Sequence, residues 1–153
     1  MNYAELFSED RVILDTSAHD AGAVLAQLAQ ALVGGDAALA EREAEVRSAL
    51  EARESQGSTG SQGVGIPHVK LAGLDDARVA LLVHHGGIDY RALDGEQVHV
   101  FFAVLRPEDK ADEHLGLLRW IASVAQHDDF VSFARQAGTP AEIVELLHEM
   151  TTA

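Results

Sequence analysis

Between Arg53 and His68 the chain reads Arg-Glu-Ser-Gln-Gly-Ser-Thr-Gly-Ser-Gln-Gly-Val-Gly-Ile-Pro-His, which fits neither a regular helix nor a plain strand. Four glycines let backbone N–H groups come close to an anion, and the hydroxyls of Ser58 and Thr59 can donate to its oxygens. Arg53 offers a planar fork that matches phosphate oxygens. A neutral imidazole can attack phosphorus, so His68 is the candidate nucleophile and the segment reads as a phosphate-handling site. Bland readings stand beside this one. The segment also suits a flexible loop carrying an incidental histidine, Arg53 suits a solvated helix end, and Ser58 and Thr59 suit residues that only shape a turn.

The other histidines offer less. His84 and His85 are adjacent, so on a strand they would point to opposite faces, and only one could approach the site. His99 falls in an apolar run, while His19, His127 and His148 fall near element ends. No metal-type spacing links them, so no metal site is expected. The chain has no cysteine, which excludes thiol chemistry and disulfides and suits a cytosolic protein.

These residues must be held by elements that hydrophobic periodicity outlines. Val12-Ile13-Leu14 is β-prone. Asp20 stands where an N-cap belongs, before a helix over Ala21 to Val33 with Val24, Leu25, Leu28 and Leu32 on one face and Gly34-Gly35 at its end. A second helix is expected from Asp36 to about Glu54, striped by Leu39, Val46 and Leu50. Val64 and Ile66 suggest a short strand before Pro67. Arg78 to His84 and Val98 to Leu105 are near-continuous apolar runs, as expected for strands buried on both faces, with a turn at Asp94-Gly95. Helices follow over about Glu113 to Gln126 and Asp129 to Gln136. A last helix starts at Thr139, with Pro140 at the first position and Glu142 closing a capping box. The interleaving gives an α/β class, a mixed central β-sheet sandwiched between α-helices.

A length of 153 residues fits one domain with a proper core, and 47% hydrophobic content is ordinary for a globular chain. Eleven basic against twenty-five acidic residues give a formal charge of -14, which argues against nucleic acid or an anionic membrane as the main partner. No apolar run reaches the roughly 18 residues of a membrane span, and no signal-peptide pattern opens the chain. A cytoplasmic location is therefore expected, without membrane insertion.

Two blocks of residues resemble a known family. Arg53-Glu54, Gly57-Ser58-Thr59-Gly60 and Ile66-Pro67-His68 stand in the order of the signature of the type-2 EIIA domains of the bacterial phosphotransferase system, the fructose, mannitol and nitrogen-regulatory branch. Downstream, Ala92-Leu93-Asp94-Gly95, Val98, Pro107-Glu108 and Glu113-His114-Leu115 with Leu118 resemble the second block of that family. The resemblance covers nearly the whole chain and implies a single EIIA type-2 domain over residues 1–153. Three departures lie in the first block. The spacing from Thr59 to His68 is one residue short, Ser61-Gln62-Gly63 replaces a glycine-asparagine-glycine bend, and Val69 follows the histidine where glycine is common.

The resemblance implies that His68 accepts a phosphoryl group from the phosphocarrier HPr and passes it to an EIIB domain, with no cofactor. It makes His114 the second site residue, hydrogen-bonding the phosphoryl group or fixing the His68 tautomer; a capping or partly buried histidine is the alternative from the residues alone. Arg53, Ser58 and Thr59 become phosphate-binding candidates, and Leu71, Leu74 and Leu115 candidates for an apolar rim around His68, with simple core packing the alternative for each and expected for at least one. Three functions fit: a sugar-transport phosphocarrier serving a separate EIIB, a nitrogen-regulatory type that controls partner proteins through the phosphorylation state of His68, and a phosphotransfer-dead interaction protein on the same fold.

Overall fold

The computed structural model describes residues 2–14, 16–109 and 111–152; the Glu113 side chain lies outside the described residues. Two long strands, β4 (Arg78–Ile88) and β5 (Val98–Pro107), pair antiparallel and form the middle of a five-stranded sheet. β1 (Val12–Ile13) runs parallel to β4, while β2 (Val64–Gly65) and β3 (His68–Leu71) both run parallel to β5 along its other edge. Side chains alternate across this sheet as the pleat requires. Leu82, Phe101, Ala103 and Leu105 pack with Leu28, Leu32 and Leu50 on one face. Leu81, Val100, Phe102 and Val104 pack with Leu117, Ile121, Phe130 and Ile143 on the other. The apolar runs of β4 and β5 are continuous because helices cover both faces.

The first face carries α1 (Ala21–Val33), α2 (Ala37–Ala40) and α3 (Glu43–Ser55), and the second carries α4 (Ala111–Ala125), α5 (Phe130–Gln136) and α6 (Pro140–Thr152). Asp20 caps α1 by accepting from the Ala23 N–H at 2.8 Å. The single helix expected from Asp36 to Glu54 is two. Arg42 leaves helical geometry with ψ at 15°, and its guanidinium bonds the Ala72 carbonyl at 2.7 Å and Glu45 at 2.8 Å. A tertiary contact to a residue thirty positions away thus breaks a stripe whose spacing alone allowed one helix. Thr139 caps α6 as expected, accepting from the Glu142 N–H at 3.3 Å, but Glu142 reaches back to the Gly138 N–H at 3.0 Å rather than to Thr139 itself.

The glycine-rich segment is ordered by tight turns and a close approach. Ser61 and Val64 exchange both backbone hydrogen bonds, at 2.8 and 3.0 Å, around Gln62 and Gly63. Both central residues have positive φ, 57° and 80°, which makes this a two-residue turn of the type that glycine and asparagine favour. Two other glycines make room for a ring. A Cβ on Gly60 would lie 3.1 Å from Tyr90 Cδ2, and one on Gly65 would lie 3.1 Å from Tyr90 Cε2 and 3.2 Å from Phe101 Cδ1. Tyr90 itself is buried, edge-on to Phe101 at 4.9 Å between centroids.

Two stability changes are expected from this geometry. Gln62→Asn relieves part of a left-handed conformation that costs an ordinary L-residue about 1–2 kcal/mol, so the melting temperature should rise by about 2–4 °C. Gly65→Ala drives a methyl group into two packed aromatic rings and should destabilise by about 1–3 kcal/mol, read as a lower urea midpoint at unchanged m-value.

Candidate functional site

The site is assembled by the end of α3, the turn-rich segment and the edge strand it feeds. Glu54, in the last turn of α3, accepts from both the Thr59 N–H at 3.0 Å and the Thr59 hydroxyl at 2.9 Å through the same oxygen, Oε1. The Thr59 hydroxyl oxygen in turn accepts from the Ile66 N–H at 3.0 Å. Ser58 donates its hydroxyl to the Tyr90 carbonyl at 2.8 Å and accepts from the Gly60 N–H at 3.0 Å. Arg53 uses one of its five side-chain donors on the Gly57 carbonyl at 2.9 Å, the one hydrogen bond of its guanidinium among the described residues. Both hydroxyl protons of the Ser58-Thr59 pair are therefore committed, that of Thr59 within the segment and that of Ser58 to Tyr90 outside it, and both hold the segment's shape.

β2 and β3 are two pieces of one edge strand. Val64 pairs with Val100, Gly65 with Phe101 and His68 with Val104, each partner 36 positions downstream. Pro67 interrupts the ladder only on its donor side, and its carbonyl still accepts from the Val104 N–H at 3.0 Å. Proline is tolerated here because the strand lies at the sheet edge. His68 opens β3, half-buried, with Nδ1 2.6 Å from the Ile66 carbonyl. A carbonyl oxygen can only accept, so Nδ1 carries the proton and Nε2 holds the lone pair.

The register also sets the direction of the ring. His68 lies opposite Val104, and Val104 belongs to the core beneath α4 together with Leu117 and Ile121. His114 precedes Leu117 by three positions and Ile121 by seven, so it shares the stripe of α4 that faces the sheet, and it is 4% exposed. The fold thus brings His68 and His114 to the same side of the sheet. His114 sits one turn inside α4 rather than at its start, because the helix begins at Ala111. Arg53 stays on the opposite layer, with α3.

The remaining histidines lie elsewhere. His84 and His85 fall in a bulge where four residues of β4 oppose His99. The His84 Nε2 lies 2.8 Å from the Ala18 carbonyl, and the His99 Nδ1 lies 3.1 Å from the His84 carbonyl. His99 is five residues along β5 from Val104, roughly 17 Å at strand rise. Among the described residues no cluster of three His, Cys, Asp or Glu could hold a metal ion. Of the three rim leucines, Leu71 is core at 4% exposure, Leu74 packs against that core, and Leu115 is 47% exposed.

Reasoning from the sequence missed Glu54 and Tyr90 as parts of the site's frame. Burial first, and the Glu54 carboxylate second, push the Tyr90 phenol well above its ordinary value, so the two side chains are neighbours. The sequence carried a signal for Glu54, adjacent to Arg53 in the first block. It carried none for Tyr90, which reaches the segment only through the fold.

Comparison with known proteins identifies the family and the fold. Residues 5–150 match the family model for the phosphoenolpyruvate-dependent sugar phosphotransferase system, EIIA 2. The nitrogen regulatory protein of Pseudomonas aeruginosa is 38% identical over 99 residues, which is 64% of this chain and 64% of that protein's length. The fructose-specific EIIA component of Haloferax volcanii is 29% identical over 111 residues, 72% of this chain and 71% of the relative. The crystal structure of the nitrogen regulatory protein IIA-Ntr from Neisseria meningitidis superposes with a TM-score of 0.86 at 28% identity, covering 94% of this chain and 97% of that one. Among the described residues no helix is long and apolar enough to cross a membrane. A mixed sheet between two helical layers and a family match over residues 5–150 place this chain in the EIIA type-2 family of the phosphotransferase system.

Proposed function

We propose that the chain is a single EIIA domain over residues 1–153, acting in the cytoplasm as a phosphohistidine carrier with His68 as its acceptor. The observation that carries this reading is the hydrogen bond from His68 Nδ1 to the Ile66 carbonyl, which leaves Nε2 as the nucleophile. The Nε2 lone pair attacks phosphorus of a phosphohistidine on an HPr-type donor. The Nε2–P bond forms as the donor's N–P bond breaks, and the electron pair returns to the donor imidazole. The Nδ1 proton stays in place, so the phosphorylated ring is cationic and its N–H donates to Ile66 as a charge-assisted bond. A cationic ring is also a good leaving group, which suits a carrier that must release the phosphoryl group to a second acceptor.

His114, on the same side of the sheet, is suited to hydrogen-bond the phosphoryl oxygens. Arg53 keeps free donors but starts on the opposite layer, so it would reach them only by leaving Gly57 and passing the edge of the sheet. Ser58 and Thr59 contribute through the shape of the loop, since donating to phosphate would require releasing Tyr90 and Glu54. Leu115 and Leu93, at 47% and 79% exposure, offer apolar contact to an incoming partner. One acceptor is a separate EIIB domain. A regulatory role, in which the phosphorylation state of His68 controls binding to a target protein, is the second reading. The likeness to nitrogen regulatory proteins, at 38% identity and at a TM-score of 0.86, favours it.

Intact-mass spectrometry after incubation with phosphoenolpyruvate, enzyme I and HPr tests the carrier reading. One acid-labile phosphoryl adduct is expected on the wild type and none on His68→Ala. An adduct that survives the substitution moves the acceptor to another histidine, with His114 first in line. No adduct on the wild type sinks the carrier reading and leaves an interaction protein on this fold. With the adduct in hand, phosphoryl transfer to an EIIB domain separates transport from regulation.

A further inference from the structure

The four groups between α3 and His68 form one uninterrupted chain of hydrogen bonds. Glu54 Oε1 holds the Thr59 N–H and hydroxyl at 3.0 and 2.9 Å, Thr59 Oγ1 holds the Ile66 N–H at 3.0 Å, and the Ile66 carbonyl holds His68 Nδ1 at 2.6 Å. The N–H and the carbonyl of Ile66 lie in successive peptide planes, and because Pro67 restricts the torsions of the residue before it, anchoring the N–H narrows the directions open to the carbonyl. From the Thr59 donation, we infer that Glu54 is a positioning residue for His68: acting through Thr59 and the Ile66 backbone, it fixes the tautomer and ring orientation of the nucleophile. The inference rests on the reading of His68 as the phosphoryl acceptor.

Several features fit this role. The Thr59 hydroxyl can accept from Ile66 in a fixed direction only if its own proton is committed, and the Glu54 carboxylate commits it. Glu54 is itself confined. Among the described residues its second oxygen, Oε2, and the Tyr90 hydroxyl are both buried without a hydrogen bond of ordinary geometry, and the carboxylate and the phenol are neighbours. A buried acceptor beside a buried donor is satisfied by a small torsional adjustment, which would clamp the carboxylate from its far side. Tyr90 stays a donor because burial and the adjacent carboxylate keep its phenol protonated. The two glycines that admit the Tyr90 ring, Gly60 and Gly65, flank this same chain. An orienting chain of this kind matters because imidazole nitrogens are distinguished only by the bond each makes.

Long-range 1H–15N NMR of the His68 imidazole reads the tautomer directly, alongside the rate of phosphoryl transfer from phosphorylated HPr. Wild type and Thr59→Ser, which keeps the hydroxyl, should both show the Nδ1–H form. Thr59→Val, which keeps the shape and loses the hydroxyl, should show a shift toward Nε2–H and a transfer rate lower by roughly 10- to 100-fold. Glu54→Gln, a weaker acceptor of the same size, should fall between them and covers the case in which Thr59→Val does not fold. A Glu54→Gln or Thr59→Val protein that keeps the wild-type tautomer, and transfers within about twofold of the wild-type rate, overturns the inference. That outcome differs from failure of the carrier reading, in which the wild type takes no phosphoryl group while the tautomer comparison can still be made.

Discussion

Strand β5 is hydrogen-bonded on both edges and buried on both faces, and every part of the site takes its position from it. On one edge it holds β4 antiparallel; on the other it holds residues 64–71 in a register that never slips, each residue 36 positions before its partner. A slip of one residue would turn His68 away from the α4 side and into the α1–α3 core, because the side-chain period of a strand is two. The register is locked by Val64 and Leu71, which bury into opposite cores at the two ends of the edge strand. Downstream, the same strand leads the chain into α4, whose sheet-facing stripe begins with His114.

The segment rich in glycine looks like a phosphate cradle, yet most of its glycines serve packing and turning. Gly63 completes a tight turn, and Gly60 and Gly65 clear the face of Tyr90. With its turns closed and both hydroxyl protons committed, the loop is a rigid support rather than an adaptable anion trap. Rigidity suits a carrier that must offer one nitrogen in one orientation to two partners in succession. Gln62, with φ at 57°, is the strained member, and its N–H is tied to the Asp94 carboxylate at 2.8 Å. Two hydrogen bonds, from Gln62 and then from Glu96, hold the Asp94 carboxyl below the ordinary carboxylate range. The turn between β4 and β5 thus secures the turn before β2, and the two blocks seen in the sequence are one unit in space.

Much of this was legible in advance. The apolar runs of β4 and β5, the cap at Asp20, the cap at Thr139 and the Pro-His pair are local signals, set by burial and by chain geometry within a few residues. What was not legible has one cause. The expected helix from Asp36 to Glu54 breaks because Arg42 bonds a carbonyl thirty residues on, and which of the three leucines is core, left open by the sequence, is decided for Leu71 by its register on β5. Neither contact leaves a periodicity to read.

By itself the sequence determined the α/β class, the family and the identity of the nucleophile candidate, because periodicity and an ordered pair of motifs are written along the chain. Only the tertiary structure decided which imidazole nitrogen is free, that His68 and His114 share one side of the sheet, and that Glu54, Thr59 and Tyr90 frame the loop that carries His68. Those facts depend on hydrogen-bond direction and strand register between segments up to 36 residues apart, and a linear pattern fixes residue types but not the relative placement of distant backbones.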